Sequence, residues 1–204
     1  MKKIHFFTIL LPAMACFLSS CSTSPKPLMS TSETIASVPA RSGSSAGNAA
    51  HLKRGVVGKD KHGMPTYHQQ ATRRLVRTTA YTHTESDHVK YRRKNAIGST
   101  LRYGSVRSAA ADWSVYPVGT QFKIKGLPYT YVVDDYGSAL VGTNTVDLYK
   151  PSRSIMNKWG VRKVELQVTK WGSYDKAAGL LKGRTGYKHC RKMYHSILKK
   201  KARL

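Results

Sequence analysis

The residues best suited to chemistry in this chain are carboxylates, and they are scarce. Ten Asp and Glu stand against 35 Lys and Arg, and seven of the ten fall between Leu75 and Gly172. Asp112, the adjacent pair Asp134-Asp135, and Asp147 stand out. Carboxylates gathered in one segment of so basic a chain need a reason. Glycosidic cleavage supplies one, because a carboxylic acid must protonate the leaving oxygen as the sugar ring gains oxocarbenium character. Such an acid needs a pKa well above the usual value of about 3.9. An apolar setting or a second carboxylate nearby raises it.

Asp112 precedes a turn containing Pro117 and Gly119, where an Asp readily accepts hydrogen bonds from backbone amides. A structural role is therefore favoured over a catalytic one there. Tyr81, Trp113 and Tyr136 could stack on sugar faces, and each suits a core or rim equally well. Gly137 and Gly142 are expected to permit backbone conformations closed to other residues, or the close approach of a glycan. His83, Glu85, Asp87 and His88 invite a metal reading, but no matching His/Cys spacing follows. Neither metal nor cofactor is expected.

The elements that would hold these residues are short strands. Leu75–Thr82 is rich in β-formers, and Thr120–Lys125 alternates polar with apolar. Gly126-Leu127-Pro128 is turn chemistry, and Tyr129–Val133 reads as the returning strand. Thr145–Tyr149 is another strand, and Arg162–Thr169 alternates cleanly. Between these two, Pro151 opens a helix that runs from Ser152 to Trp159 and stops at Gly160. Several strands and one helix in about 100 residues predict an all-β fold, a compact barrel over 72–171.

Residues 1–20 have a charged start at Lys2-Lys3, an apolar run from Ile4 to Leu18 and small residues after it. That pattern describes a secretory signal. The run is shorter than the about 20 residues that span a bilayer. Leu18-Ser19-Ser20-Cys21 resembles the bacterial lipobox, which implies lipidation of Cys21; an ordinary signal with an incidental cysteine is the other reading. Residues 21–71 are rich in Ser, Thr, Pro, Gly and Lys and read as a disordered tether. In the tail, 172–204, Cys190, Met193, Tyr194, Ile197 and Leu198 form one helical stripe among basic residues. That stripe could meet an anionic surface, or dock on the barrel.

A formal charge of +25 draws the protein to polyanions. An exported, membrane-anchored molecule makes anionic envelope polymers or lipid the expected partners, and nucleic acid an unexpected one. Once Cys16 leaves with the signal and Cys21 carries lipid, Cys190 stands alone, so no intramolecular disulfide is expected. The periplasm-facing envelope is the expected location. Ser22 after the cysteine, in place of Asp, points to the outer membrane.

Five blocks in order carry a resemblance: Thr79-Ala80-Tyr81-Thr82; Asp112 through Tyr116-Pro117-Val118-Gly119-Thr120; Val133-Asp134-Asp135-Tyr136-Gly137; Val146-Asp147-Leu148-Tyr149; and Trp159-Gly160. Together they resemble the 3D (three-aspartate) domain, a six-stranded double-psi β-barrel shared by MltA-type lytic transglycosylases and small stationary-phase survival proteins. The resemblance implies that Asp147 is the acid and then the base, with Asp135 its electrostatic neighbour. Asp134 falls where the family often has Glu and is expected to be peripheral. It also implies peptidoglycan glycan strands as substrate. The sequence departs from the family pattern at Trp113, Tyr116 and Ser138. One extra residue between Gly142 and Asp147 could shift the loop that leads to the key aspartate. The larger second domain of the MltA enzymes has no room here, so the chain resembles the stand-alone members. The alternative function is a non-catalytic peptidoglycan-binding lipoprotein of RlpA-like architecture.

Overall fold

The computed structural model describes residues 52–86 and 88–202. The expected signal, the lipobox at Cys21 and most of the tether lie outside them. Eight strands and three α-helices are present among the described residues: β1 (Val56–Lys59), β2 (Pro65–Tyr67), β3 (Arg73–Tyr81), β4 (Val106–Ala110), β5 (Gln121–Ile124), β6 (Thr130–Asp135), β7 (Thr145–Tyr149), α1 (Arg153–Trp159), β8 (Arg162–Lys170), α2 (Tyr174–Lys182) and α3 (Lys188–Lys201).

Six strands close into a barrel in the order β3-β7-β4-β6-β5-β8. β3 pairs parallel to β7 and β4 parallel to β6, while the other pairings are antiparallel. The period-two alternation explains the core. Val76, Phe122, Ile124, Tyr131, Val133, Val146, Leu148, Val164, Leu166 and Val168 point inward and are buried in one cluster. The intervening residues point outward, and on one side of the barrel they build the site. The helix expected after Pro151 is α1, with the Ser152 hydroxyl accepting from the Ile155 amide and Gly160 ending it at a φ of 59°.

Two segments differ from the sequence expectation. Part of the expected tether is a hairpin, β1–β2, fastened to the barrel. Asp60 Oδ1 accepts from the His62 and Met64 amides, while its Oδ2 accepts from the Asn144 amide at 2.6 Å. Asn144 Nδ2 donates in turn to the carbonyls of Pro65 and Leu75. Polar tertiary bonds, with Met64 the one deeply buried apolar side chain of the turn, hold this hairpin. No apolar periodicity announces that kind of stabilisation. The tail holds one helix more than the sequence stripe reveals, and both helices dock. Ala177 and Leu181 of α2 and Cys190, Met193 and Ile197 of α3 join the barrel's cluster. Cys190, Met193 and Ile197 of the apolar stripe are therefore committed to the core, while Leu198 stays exposed.

Candidate active site

Asp147 sits at the centre of β7 with its neighbours Val146 and Leu148 turned into the core, so its own side chain projects from the outer wall. Register fixes what lies beside it. On one side Asp147 pairs with Thr79 of β3, whose hydroxyl donates to Asp147 Oδ1 at 2.7 Å. On the other it pairs with Ala110 of β4. Ala110 also pairs with Asp135 of β6, so Thr79, Asp147, Ala110 and Asp135 form one row across four strands.

Asp135 reaches that row through a bulge. Val133 points inward and pairs with Ala109, but the next pair is Ala110 with Asp135, leaving Asp134 as the extra residue. Simple alternation would put Asp135 inside the barrel. The inserted residue shifts the phase and turns both aspartates to the outer wall. With strands about 4.8 Å apart, two spacings separate the Asp147 and Asp135 backbones by roughly 10 Å. Ala110 stands between them in the row, in one cluster with Tyr81.

A second apolar cluster, Tyr81, Leu101, Ala110, Leu140 and Tyr149, surrounds the carboxyls. The segment 88–105, which leads into β4, closes over Asp135 at Ala96. Its Ala96 amide donates to Asp135 Oδ1 at 3.2 Å, beside the Tyr136 amide at 2.9 Å, while Tyr81 Oη donates to Oδ2 at 3.1 Å. Asp135 is 6% exposed, whereas Asp147 is half-buried. Burial pushes the Asp135 carboxyl up to about 7 against these hydrogen bonds, with the charge of Asp134 adding. Burial likewise raises Asp147 to about 6, opposed by the Thr79 hydroxyl and Arg77 and reinforced by Glu85 and Asp135. A neutral Asp147 can donate its proton, and its ionised form can take one back.

The remaining expected site residues separate. Asp134 is buried, raised by that burial, and accepts from the Ser108 hydroxyl at 2.7 Å, which fits a supporting role. Asp112 lies away from the row and binds its own turn. Its Oδ1 takes the Ser114 amide and hydroxyl, and its Oδ2 takes the Gly142 amide at 2.7 Å. Gly142 adopts a φ of 79°, as a glycine position should, whereas Gly137 has a φ of −137° that other residues adopt, so a special backbone conformation is not its reason.

Two of the three expected sugar-stacking aromatics do other work. Trp113 is fully buried, its Nε1 donating to the Asp135 carbonyl at 2.9 Å and its ring edge-on to Tyr136. Tyr136 is covered from the tail, where Arg184 donates to its hydroxyl and His189 lies against its ring. Tyr81 is at the site, but as a hydrogen-bond donor to Asp135. Tyr149, edge-on to Tyr81 and Tyr103 and bonded to His83 Nδ1 at 2.9 Å, is the aromatic wall that sequence reasoning missed. Its place in β7 two residues after Asp147, on the same face, was the available signal. Among the described residues no three His, Cys, Asp or Glu side chains gather closely enough to hold a metal ion. Asp87 lies outside them.

Residues 107–170 match the family model of the 3D domain. With the closed six-stranded barrel, this match makes the β domain a 3D-domain barrel. The 3D domain is found in peptidoglycan-active proteins of the MltA kind, which supports a peptidoglycan-related role. No curated protein matches the chain.

Proposed function

We propose that this protein cleaves peptidoglycan glycan strands as a lytic transglycosylase, with Asp147 as acid and then base. The observation that carries the reading is the row Thr79–Asp147–Ala110–Asp135, which holds two near-neutral carboxyls on one outer wall. Protonated Asp147 gives its proton to the glycosidic oxygen as the C1–O bond breaks. The resulting carboxylate then takes the proton of the muramic acid C6 hydroxyl as that oxygen closes on C1. The product is a 1,6-anhydro end, and Asp147 is left protonated for the next strand. Asp135, when ionised, stabilises positive charge on the ring and discourages ionisation of Asp147.

The same reading places the protein in the envelope, held by lipid on Cys21, with the segment after it bridging membrane and wall. The lipobox pattern and the charge of +25 support this. A second reading, a non-catalytic wall-binding lipoprotein, is favoured by one observation: segment 88–105 closes directly over Asp135 through Ala96.

Purified sacculi incubated with the protein, with products read by mass spectrometry, separate the two. Anhydromuropeptides released by the wild type and lost on Asp147→Asn are expected. Binding to sacculi without any release would leave the wall-binding reading standing alone.

A further inference from the structure

A cavity of about 260 Å³ lies apart from the Asp135–Asp147 row, between the β1–β2 hairpin, α3 and the loop that joins β6 to β7. Arg74, Asp112, Gly142, Asn144, Lys192 and Lys200 are among the residues that line it. Its charges do not balance. Arg74 is 1% exposed and immobilised, donating to the carbonyls of His68, Gln69 and Ala71 and lying against the rings of Tyr67, Tyr116 and Trp171. Lys192, Ser196 and Lys200 recur at four-residue spacing, on one face of α3, and that face lines the cavity. Three cations thus meet one carboxylate, that of Asp112, whose two oxygens already accept from Ser114 and Gly142. Like charges brought together in a partly desolvated space repel unless an anion lies between them. Burial lowers the pKa of Lys200; the charge of Asp112 opposes that shift and the charge of Arg74 adds to it.

We propose that this cavity binds a small oxyanion, a carboxylate or a phosphate, between Arg74, Lys192 and Lys200. Arg74 supplies a fixed field from the floor. Lys192, which reaches over Gly142, and Lys200, which donates to the Ser114 carbonyl, supply further donors from α3, with the Ser196 hydroxyl between them. The residues 141–144 that form one wall run directly into β7, so a bound anion would brace the loop leading to Asp147. The proposal does not depend on the catalytic reading.

The full chain, purified in detergent, would be titrated with inorganic phosphate and separately with N-acetylalanine while backbone amide resonances are followed. Saturable one-to-one shifts are expected at Ser114, Gly142, Thr143 and Asn144. The probe that saturates identifies the source as phosphate-bearing or carboxylate-bearing. Lys192→Ala should weaken binding about tenfold, the loss of one charge-assisted contact. Lys192→Ala with Lys200→Ala should abolish it, whereas Lys158→Ala with Lys163→Ala, which removes equal charge elsewhere, should leave it unchanged. Because Lys192 is exposed, its single variant tests the site even if the double variant misfolds. Absent or non-saturating shifts with both probes, or equal weakening by the two charge-removing pairs, would overturn the proposal in favour of general charge attraction.

Discussion

Asp147 and Asp135 share a register partner, Ala110, and that shared partner is what makes two distant sequence positions one site. The Ala110 methyl is buried in one cluster with Tyr81, Leu101, Leu140 and Tyr149. Ala110→Val would add two methyl groups beside the carboxyls. Overpacking of this kind costs about 1–3 kcal/mol, which a closed barrel should survive. Cleavage of sacculi is expected to fall at least about tenfold while thermal unfolding stays cooperative. Unchanged release of anhydromuropeptides would show that substrate does not enter between the two aspartates.

The acid role of Asp147 predicts an alkaline limb in the pH dependence. Cleavage requires its protonated form, so the rate should decline as pH rises through about 6 to 7, the range of the two raised carboxyls. The two titrate as a pair, and the apparent values belong to both. Glu85 adds to the rise of Asp147, after burial, so Glu85→Gln should move the alkaline limb to lower pH. Its Oε2 accepts from the Thr82 amide, a bond that a glutamine oxygen can keep. A pH–rate profile of the variant that superimposes on the wild type would show that the charge of Glu85 does not act on the catalytic acid.

Burial of Asp135 has a thermodynamic consequence with a definite sign. A carboxyl raised to about 7 in the folded barrel holds its proton where the unfolded chain has released it. The native state then binds more protons between about pH 4 and pH 7, and stability falls as pH rises through that window. Asp135→Asn removes this penalty. The variant should match the wild type near pH 4 and exceed it by up to ~4 kcal/mol at pH 8. Denaturant unfolding of both proteins at the two pH values reads the difference directly. A constant offset across that range contradicts the raised carboxyl.

Much of this architecture was legible in the sequence because it follows from alternation. β5 and β8 announce themselves by period two, β3 by its run of β-formers, and α1 by its proline, serine and glycine punctuation. The row of aspartates was only half legible. Asp147 could be placed by its block, but the facing of Asp135 depends on a bulge that two consecutive aspartates do not reveal. The segment before Asp147 delivers it into register with Thr79 and Ala110. For Trp113 the sequence left a sugar platform and a core position equally open, and here the indole serves the core and bonds the Asp135 carbonyl. The hairpin was invisible because side-chain-to-backbone hydrogen bonds from Asp60 and Asn144, rather than an apolar face, hold it.

Those bonds make the hairpin testable. Asp60 accepts three backbone amides, which hold its carboxyl below the ordinary value even though partial burial works in the other direction. Removing an acceptor that satisfies such donors costs about 1–3 kcal/mol. Asp60→Ala should release β1–β2 while the barrel stays folded, seen as accelerated hydrogen exchange at Met64 and Asn144 with protection retained at Val146 and Leu148. Because the carboxyl is depressed, the same loosening should appear in the wild type as pH falls through its folded-state value. Unchanged protection at Met64 in the variant would mean that Asn144 alone holds the hairpin.

Gly172 marks a contact that no sequence block singled out. A Cβ there would meet the Val118 carbonyl at 2.3 Å, the Pro117 carbonyl at 2.5 Å and the Thr120 amide at 2.5 Å. All three are backbone atoms of the turn before β5, so none can rotate away as a flexible side chain would. The Gly172 amide also donates to the Thr120 hydroxyl, and the Ser173 amide to the Val118 carbonyl, pinning the end of β8 against that turn. This is where the chain leaves the barrel for α2. Even Gly172→Ala, the smallest substitution, must push the two segments apart and break both bonds. A loss on the order of 3 kcal/mol is expected, at the upper end of ordinary point substitutions. The nearby Gly179, whose Cβ would meet nothing, is the control: Gly179→Ala in α2 should hold or raise stability by up to about 1 kcal/mol through helix propensity. Thermal unfolding of the two variants side by side decides the matter. Equal midpoints would show that the turn before β5 yields more readily than its packing against Gly172 implies.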